Sequence, residues 1–174
     1  MYLLSAICQL SAPVAVCIFA SNVAVAETTT VGAIDKVQAQ VNATQAGQTR
    51  ALAVNSDVYF RDRCHNTEGA RLQATLKDGT QLTLGENATL VVDEFIYDPF
   101  RSRGALLVRV IKGAFLFVGG RIEGVNGAKV QIQTPFAAIG VRGITVWGGP
   151  IDNGYGAVVL SGEATVTARR GLLL

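Results

Sequence analysis

Charge is scarce in this sequence. Lysine, arginine, aspartate and glutamate make up 16% of its 174 residues, and the net charge is only +2. The basic residues stand apart, as Arg61/Arg63, Arg101/Arg103 and Arg169/Arg170. No sustained positive stripe therefore exists to track a phosphate backbone, and nucleic acid is not an expected partner. Histidine is scarcer still, with His65 alone. Structural zinc takes about four N or S ligands, which one histidine and one cysteine outside the N-terminal leader do not supply. Proline occurs 4 times against 19 glycines, a balance that suits many short strands joined by tight turns. The sequence also lacks a G-x-S-x-G elbow, a Walker loop, a dinucleotide fingerprint and H-E-x-x-H, so no enzyme activity and no cofactor are expected.

Two groups of chemically capable residues remain. Asp62, Cys64 and His65 bring a nucleophile beside the one histidine. Neighbours in an extended chain point to opposite sides, however, which places Cys64 and His65 badly for a thiolate–imidazole pair. Asp93, Glu94 and Asp98 offer carboxylates, but not in the D-x-D-x-D-G order of a calcium loop. The expectation is a polar loop over Arg61–Gly69 and no metal.

The length suits one domain, since a single core commonly takes about 150 residues. Hydrophobic residues make up 49%, which argues against disorder. Met1–Ala26 carries no charged side chain and ends in Ala24-Val25-Ala26, a small-residue site before Glu27. It reads as a helical, apolar secretory leader, or as a membrane anchor if uncleaved, its length being near that of a bilayer span. The expected location is the periplasm or outside the cell, with membrane contact only through Met1–Ala26. Cys8 and Cys17 would leave with the leader, making Cys64 the lone thiol of the domain 27–174.

From Val31 onward the pattern is that of strands. Val31–Val41 alternates, with a change of phase near Asp35; Leu72–Leu76 and Thr80–Leu84 flank Asp78-Gly79, a tight hairpin signal. Tyr97-Asp98-Pro99 stops a run that begins at Ala88. Leu106–Ile111, Ala114–Val118, Val130–Gln133, Ala137–Val141, Ile144–Trp147, Ala157–Leu160 and Ala164–Ala168 follow, separated by glycine-bearing turns. Phe115 and Phe117 share one face while Leu116 and Val118 make the other apolar too, so this strand is expected between two layers. The reading is an all-β single domain of short antiparallel strands arranged as a meander, closing into a sandwich, a roll or a solenoid-like variant.

Four blocks between Leu76 and Glu163, DGTQLTLGENATLVVDEFIYDP, KGAFLFVGG, TPFAAIGVRG and WGGPIDNGYGAVVLSGE, resemble the FecR domain. This is a bacterial periplasmic all-β module named for a regulator of ferric citrate uptake, and the resemblance extends in family order from Val31 to Thr167. It implies a non-enzymatic domain that works through protein contacts in envelope signalling or sensing. In family members that regulate gene expression, the domain passes a signal from an outer-membrane receptor to a cytoplasmic anti-sigma segment. Only Met1 and Tyr2 precede the apolar run, so that full relay is not expected here. The sequence departs from the family in Ile144-Thr145, where RGTD is usual, and in Leu116, which replaces a common arginine.

Within the family motif, Asp93, Glu94, Phe95, Tyr97 and Asp98 admit two readings. Phe95 and Tyr97 share a face and bury area, with the carboxylates capping turns or pairing with Arg142; or the group is a docking surface for a protein partner. Arg142 reads as an internal ion-pair partner. Trp147 and Tyr155, on a turn-rich edge, support the alternative of a carbohydrate or cell-wall binding module.

Overall fold

Every second residue along Arg71–Leu84 turns inward: Leu72, Ala74, Leu76, Leu82 and Leu84 are all buried, while Gln73, Thr75 and Thr83 face outward. That period of two makes a half-buried strand pair, and repetition of it builds the whole molecule. A computed structural model describes residues 29–152 and 154–168; the expected leader at Met1–Ala26 lies outside the described residues.

The strands are β1 (Thr30–Gln38), β2 (Val41–Gln45), β3 (Gln48–Ala51), β4 (Asp57–Tyr59), β5 (Arg63–Asn66), β6 (Arg71–Leu76), β7 (Gln81–Leu84), β8 (Thr89–Asp98), β9 (Arg103–Lys112), β10 (Phe115–Val118), β11 (Lys129–Gln133), β12 (Ala137–Ile151) and β13 (Gly154–Ala168). Two one-turn 3-10 helices, Pro99–Arg101 and Arg121–Gly124, interrupt them, and the described residues hold no α-helix. None of them forms a helix long and apolar enough to cross a membrane.

The chain is all-β, but it is not a meander. Hydrogen bonding links the strands in the order β3-β2-β5-β8-β9-β11-β12-β10-β7-β6-β1-β4, with β13 on the free side of β12. All pairings are antiparallel except β9 with β11, which is parallel. The path folds back on itself at β12. One layer holds β4, β1, β6, β7 and β10; the other holds β3, β2, β5, β8, β9 and β11. Their inner faces meet in one core that includes Ile34, Leu84 and Phe117 from the first layer and Val92, Val108 and Ile132 from the second. The chain crosses between the layers repeatedly, each time after a single strand or a hairpin: β2–β3, β6–β7 and β8–β9 pair within a layer, and the connections between these units lead across the core.

β12 belongs to both layers. Its first part pairs with β11 through Ala138–Gly140, its second part with β10 through Thr145–Gly148, and β13 follows it along its length. The expected separate strands on either side of Arg142-Gly143, and on either side of Ser161-Gly162-Glu163, are in fact continuous. Gly143 (φ +64°) and Gly162 (φ +81°) turn the corner in left-handed backbone that glycine enters without a Cβ clash, so the ladder resumes beyond the bend. Phe136 and Tyr155, near opposite ends of this hairpin, consequently have ring centroids 5.6 Å apart.

Other local readings hold. The phase change near Asp35 is a bulge between Ile34 and Lys36 in the β1–β6 pairing. Asp78-Gly79 closes the β6–β7 hairpin, with Gly79 N–H donating to Leu76 O at 2.8 Å. Asp78 itself is buried: its carboxylate accepts from Thr80 Oγ1 at 2.6 Å and from Ile122 N at 3.4 Å, tying this turn to Arg121–Gly124. β10 differs from expectation. Phe115 and Phe117 are buried, but Leu116 and Val118 are half-exposed, because only one face of each layer meets the core.

The largest correction concerns Arg61–Gly69. It is not a solvated loop: Arg63–Asn66 is a central strand, and Asp62, Cys64 and Asn66 face inward and are buried. The Asp62 carboxylate and the Asn66 amide N–H groups find partners, most of them distant along the chain, while Asn66 Oδ1 is buried without one. Asp62 takes a two-armed contact from Arg50 and the N–H of Tyr59 at 2.8 Å. The Asn66 amide donates to Leu84 O at 3.1 Å and Gly85 O at 2.9 Å, stitching one layer to the other. Buried polar groups are tolerated when so paired.

Candidate functional site

A bulge aims the β8–β9 hairpin. Val92 pairs with Val108 and Glu94 with Leu107, leaving Asp93 as the extra residue. The bulge reverses which positions face the core: Leu90 and Val92 point inward before it, Phe95 and Tyr97 after it. Asp93 is held by Arg109, with Nη2 donating to Oδ1 and Nε lying against Oδ2, each at 2.7 Å. Phe95 and Tyr97 are half-buried and packed on the core, sharing a face as the sequence implied. The Arg121 guanidinium lies 5.7 Å from the Tyr97 ring centroid and donates to Lys77 O and Asp78 O, so the hairpin is braced from the other layer.

The hairpin tip is capped. Asp98 Oδ1 accepts from Arg101 N at 3.1 Å, Pro99 sets the first helical φ, and Ser102 closes the turn in left-handed backbone. This fixed turn presents Phe100, whose side chain is wholly in solvent at 100% exposure. Arg101 and Arg103 are exposed at the tip with it, and Ile96 and Glu94 are exposed further back along β8. A large aromatic at a turn where polar residues are the rule is an informative exposure. The sequence reading passed over Phe100. Its signal was an aromatic between Pro99 and Arg101 inside a turn.

Arg142 does not pair with the motif carboxylates. Asp93 has Arg109 and Asp98 has Arg101 (3.6 Å), while Arg142 is exposed at the corner of β12, across from Glu163 of β13. Trp147 and Tyr155 also part company. Trp147 stands on the outer face opposite Val158, its indole lying over Gly149, whereas Tyr155 stands opposite Pro150 on the inner face. Tyr155 Oη donates to Gly113 O at 2.9 Å, and burial pushes its phenol up to about 12. They do not form one stacking platform for a sugar.

Cys64 and His65 point to opposite faces of β5, as the strand period requires. The thiol is buried and pushed up to about 12, chiefly by desolvation. The His65 ring Nδ1 lies 3.0 Å from Thr89 Oγ1 on the outer face.

Glu123 is the unforeseen ionisable group. Its Oε2 accepts the N–H of Gly143 at the β12 corner, the Ile144 N–H lies close, and Oε1 is buried without a partner. Desolvation raises its pKa and the Asp78 charge adds to this, against the opposing effect of the two backbone N–H groups. A carboxyl raised above its unfolded value contributes stability below the unfolded pKa and loses it as pH rises through the folded one. Glu123→Gln keeps an acceptor for Gly143 and removes the charge. Its melting temperature should be at or above wild type near neutral pH, the difference closing as pH falls to the ordinary carboxylate value of 4.5 and below. Thermal melts of both proteins across that range test this; a constant difference would contradict it.

The FecR protein family matches residues 62–165, more than half of the chain. A search among curated proteins finds no match. The matched region starts at buried Asp62, yet β1 lies between β6 and β4 in the same sheet, so the fold extends further toward the N-terminus than the match.

Proposed function

We propose, from the premise that this chain belongs to the FecR family, that it acts in envelope signalling by binding a protein through the β8–β9 hairpin tip. FecR proteins are a signalling and regulatory family of the bacterial envelope. The observation that carries the reading is Phe100: fully exposed, on a turn capped by Asp98, at the end of a hairpin braced by Asp93–Arg109 and by Arg121. An aromatic anchor held rigidly loses little conformational entropy on docking, and such anchors with neighbouring arginines commonly dominate interface energetics. The exposed Arg101 and Arg103 favour a partner with a carboxylate rim around an apolar pocket. Glycan binding is less favoured, since Trp147 and Tyr155 lie on opposite faces.

Photo-crosslinking from position 100, with position 97 as the half-buried comparison, tests the reading in cells that make the protein. One protein species should be captured from position 100 and little from 97. Phe100→Ala should weaken that partner's binding by about 30-fold, the size of an interface hot spot. Its stability should change by less than about 0.5 kcal/mol, as expected for an exposed side chain. Unchanged binding by Phe100→Ala would remove the tip from the interface.

A further inference from the structure

Among the described residues three strands end the sheet with a free side, and two of them are protected. β3 and β4 are 4 and 3 residues long and carry Gln48, Thr49, Arg50 and Asp57. Short polar edges of this kind resist further pairing. β13 is different: it runs 15 residues, GYGAVVLSGEATVTA, with one charge, Glu163, and no proline. Among the described residues it pairs only with β12.

Among the described residues β13 is also the last rung of the interior. Its inward row, Tyr155, Ala157 and Val159 in one arm and Ala164, Val166 and Ala168 in the other, continues the rows that contain Val146 and Ile139. Val146 and Ile139 are buried, yet Val159 and Val166 are 41% and 59% exposed, because among the described residues no further rung covers them. Stacked β architectures need a cap at such an end.

We propose that the cap is a second copy of this chain, its β13 pairing antiparallel with β13 of the first about a two-fold axis through the corner. The shape of the edge selects this occupant. β13 bends at Gly162, and β12 already lies on it antiparallel with its own corner, Gly143, against Gly162. A straight strand would cover one arm only, whereas a second β13 repeats the bend that β12 shows to fit.

The side chains are self-complementary in the register that keeps inward residues together, with the axis between Ser161 and Gly162. Tyr155 then opposes the second copy's Ala168, Ala157 its Val166, and Val159 its Ala164, so each large inward residue faces an alanine. On the outer face Val158 opposes Thr165 and Gly156 opposes Thr167. Glu163 opposes Leu160 rather than Glu163, so no like charges meet, and each Glu163 keeps Arg142 of its own chain beside it. The pairing is isologous and covers both open ends at once.

Sedimentation equilibrium of the whole chain, as it accumulates in cells, should give a reversible dimer. Val166→Lys places two charges in the covered row and should weaken dimerisation by about 100-fold; Ala157→Lys, on the other arm, should do the same. Both sites are exposed in a single copy, so circular dichroism and melting of the monomer should be unchanged. The double variant Ala157→Cys, Val166→Cys should form dimers on a non-reducing gel. Opposed Cα atoms lie about 5 Å apart across an antiparallel pair, while within one copy these positions sit on layers about 10 Å apart. A monomeric wild type would overturn the proposal and leave the open rung to some other cover. So would a dimer indifferent to both lysines, or one that fails to cross-link in this register.

Discussion

Arg50→Ala is expected to cost about 3–5 kcal/mol of folding stability, the range for stranding one member of a buried ion pair. Asp62→Ala at the other end of the same contact should cost less, about 1.5–3 kcal/mol, as for losing hydrogen bonds to a charged group. The asymmetry follows from burial. Asp62 is 1% exposed, whereas the Arg50 side chain keeps 33% of its surface in water. Without Arg50, the Asp62 carboxylate retains, among the described residues, only the Tyr59 N–H and no cation. Without Asp62, the Arg50 guanidinium can turn to solvent from its place 4.5 Å from the Tyr59 ring centroid. The raised pKa of Arg50, set chiefly by its hydrogen bond to Asp62, is the same coupling seen from the basic side. Urea unfolding of the two single variants decides the matter; equal losses would mean that Asp62 reaches water when its partner is removed.

Gly113→Ala should be comparably damaging, at about 2–5 kcal/mol, while Gly79→Ala should cost only about 1–2 kcal/mol. Both glycines occupy left-handed backbone in tight turns, φ +82° and +90°. A Cβ at position 79 would meet nothing within 4 Å, so only the conformational penalty remains. At position 113 it would stand 2.4 Å from Ala88 Cα and 2.6 Å from its Cβ, and Ala88 is fully buried. The turn between β9 and β10 would have to move, and with it the Tyr155 hydrogen bond to Gly113 O. Equal midpoints for the two variants in urea would show that the β9–β10 turn yields at no cost.

Much of the fold was legible wherever the signal was local. Alternation located β6, β7, β10 and β11, Asp78-Gly79 located a hairpin, and the faces of Phe95 and Tyr97 followed from their spacing. The rest depends on partners distant in sequence. Arg61–Gly69 looked like a loop because Arg50, Leu84 and Gly85, which satisfy its polar residues, lie far from it along the chain. Gly143 and Gly162 looked like ends of strands because a glycine that breaks a ladder and one that bends it read alike. Arg142 looked internal because its neighbours are apolar, but the corner turns it outward. At the candidate site the carboxylates were found and Phe100 was not, since the period of a strand says nothing about a residue inside its turn.

The repeated crossing of the chain between layers has a kinetic consequence. β1 is flanked by β4 and β6, β2 by β3 and β5, and β12 must wait for both β10 and β11. No stretch of a few dozen residues can therefore assemble a complete layer, and each early strand holds its edge open until a later one arrives. Topologies dominated by such non-local pairing fold in about milliseconds to seconds rather than microseconds. A chain of this kind keeps unpaired strand edges until β12, which joins the two layers, has found both β10 and β11.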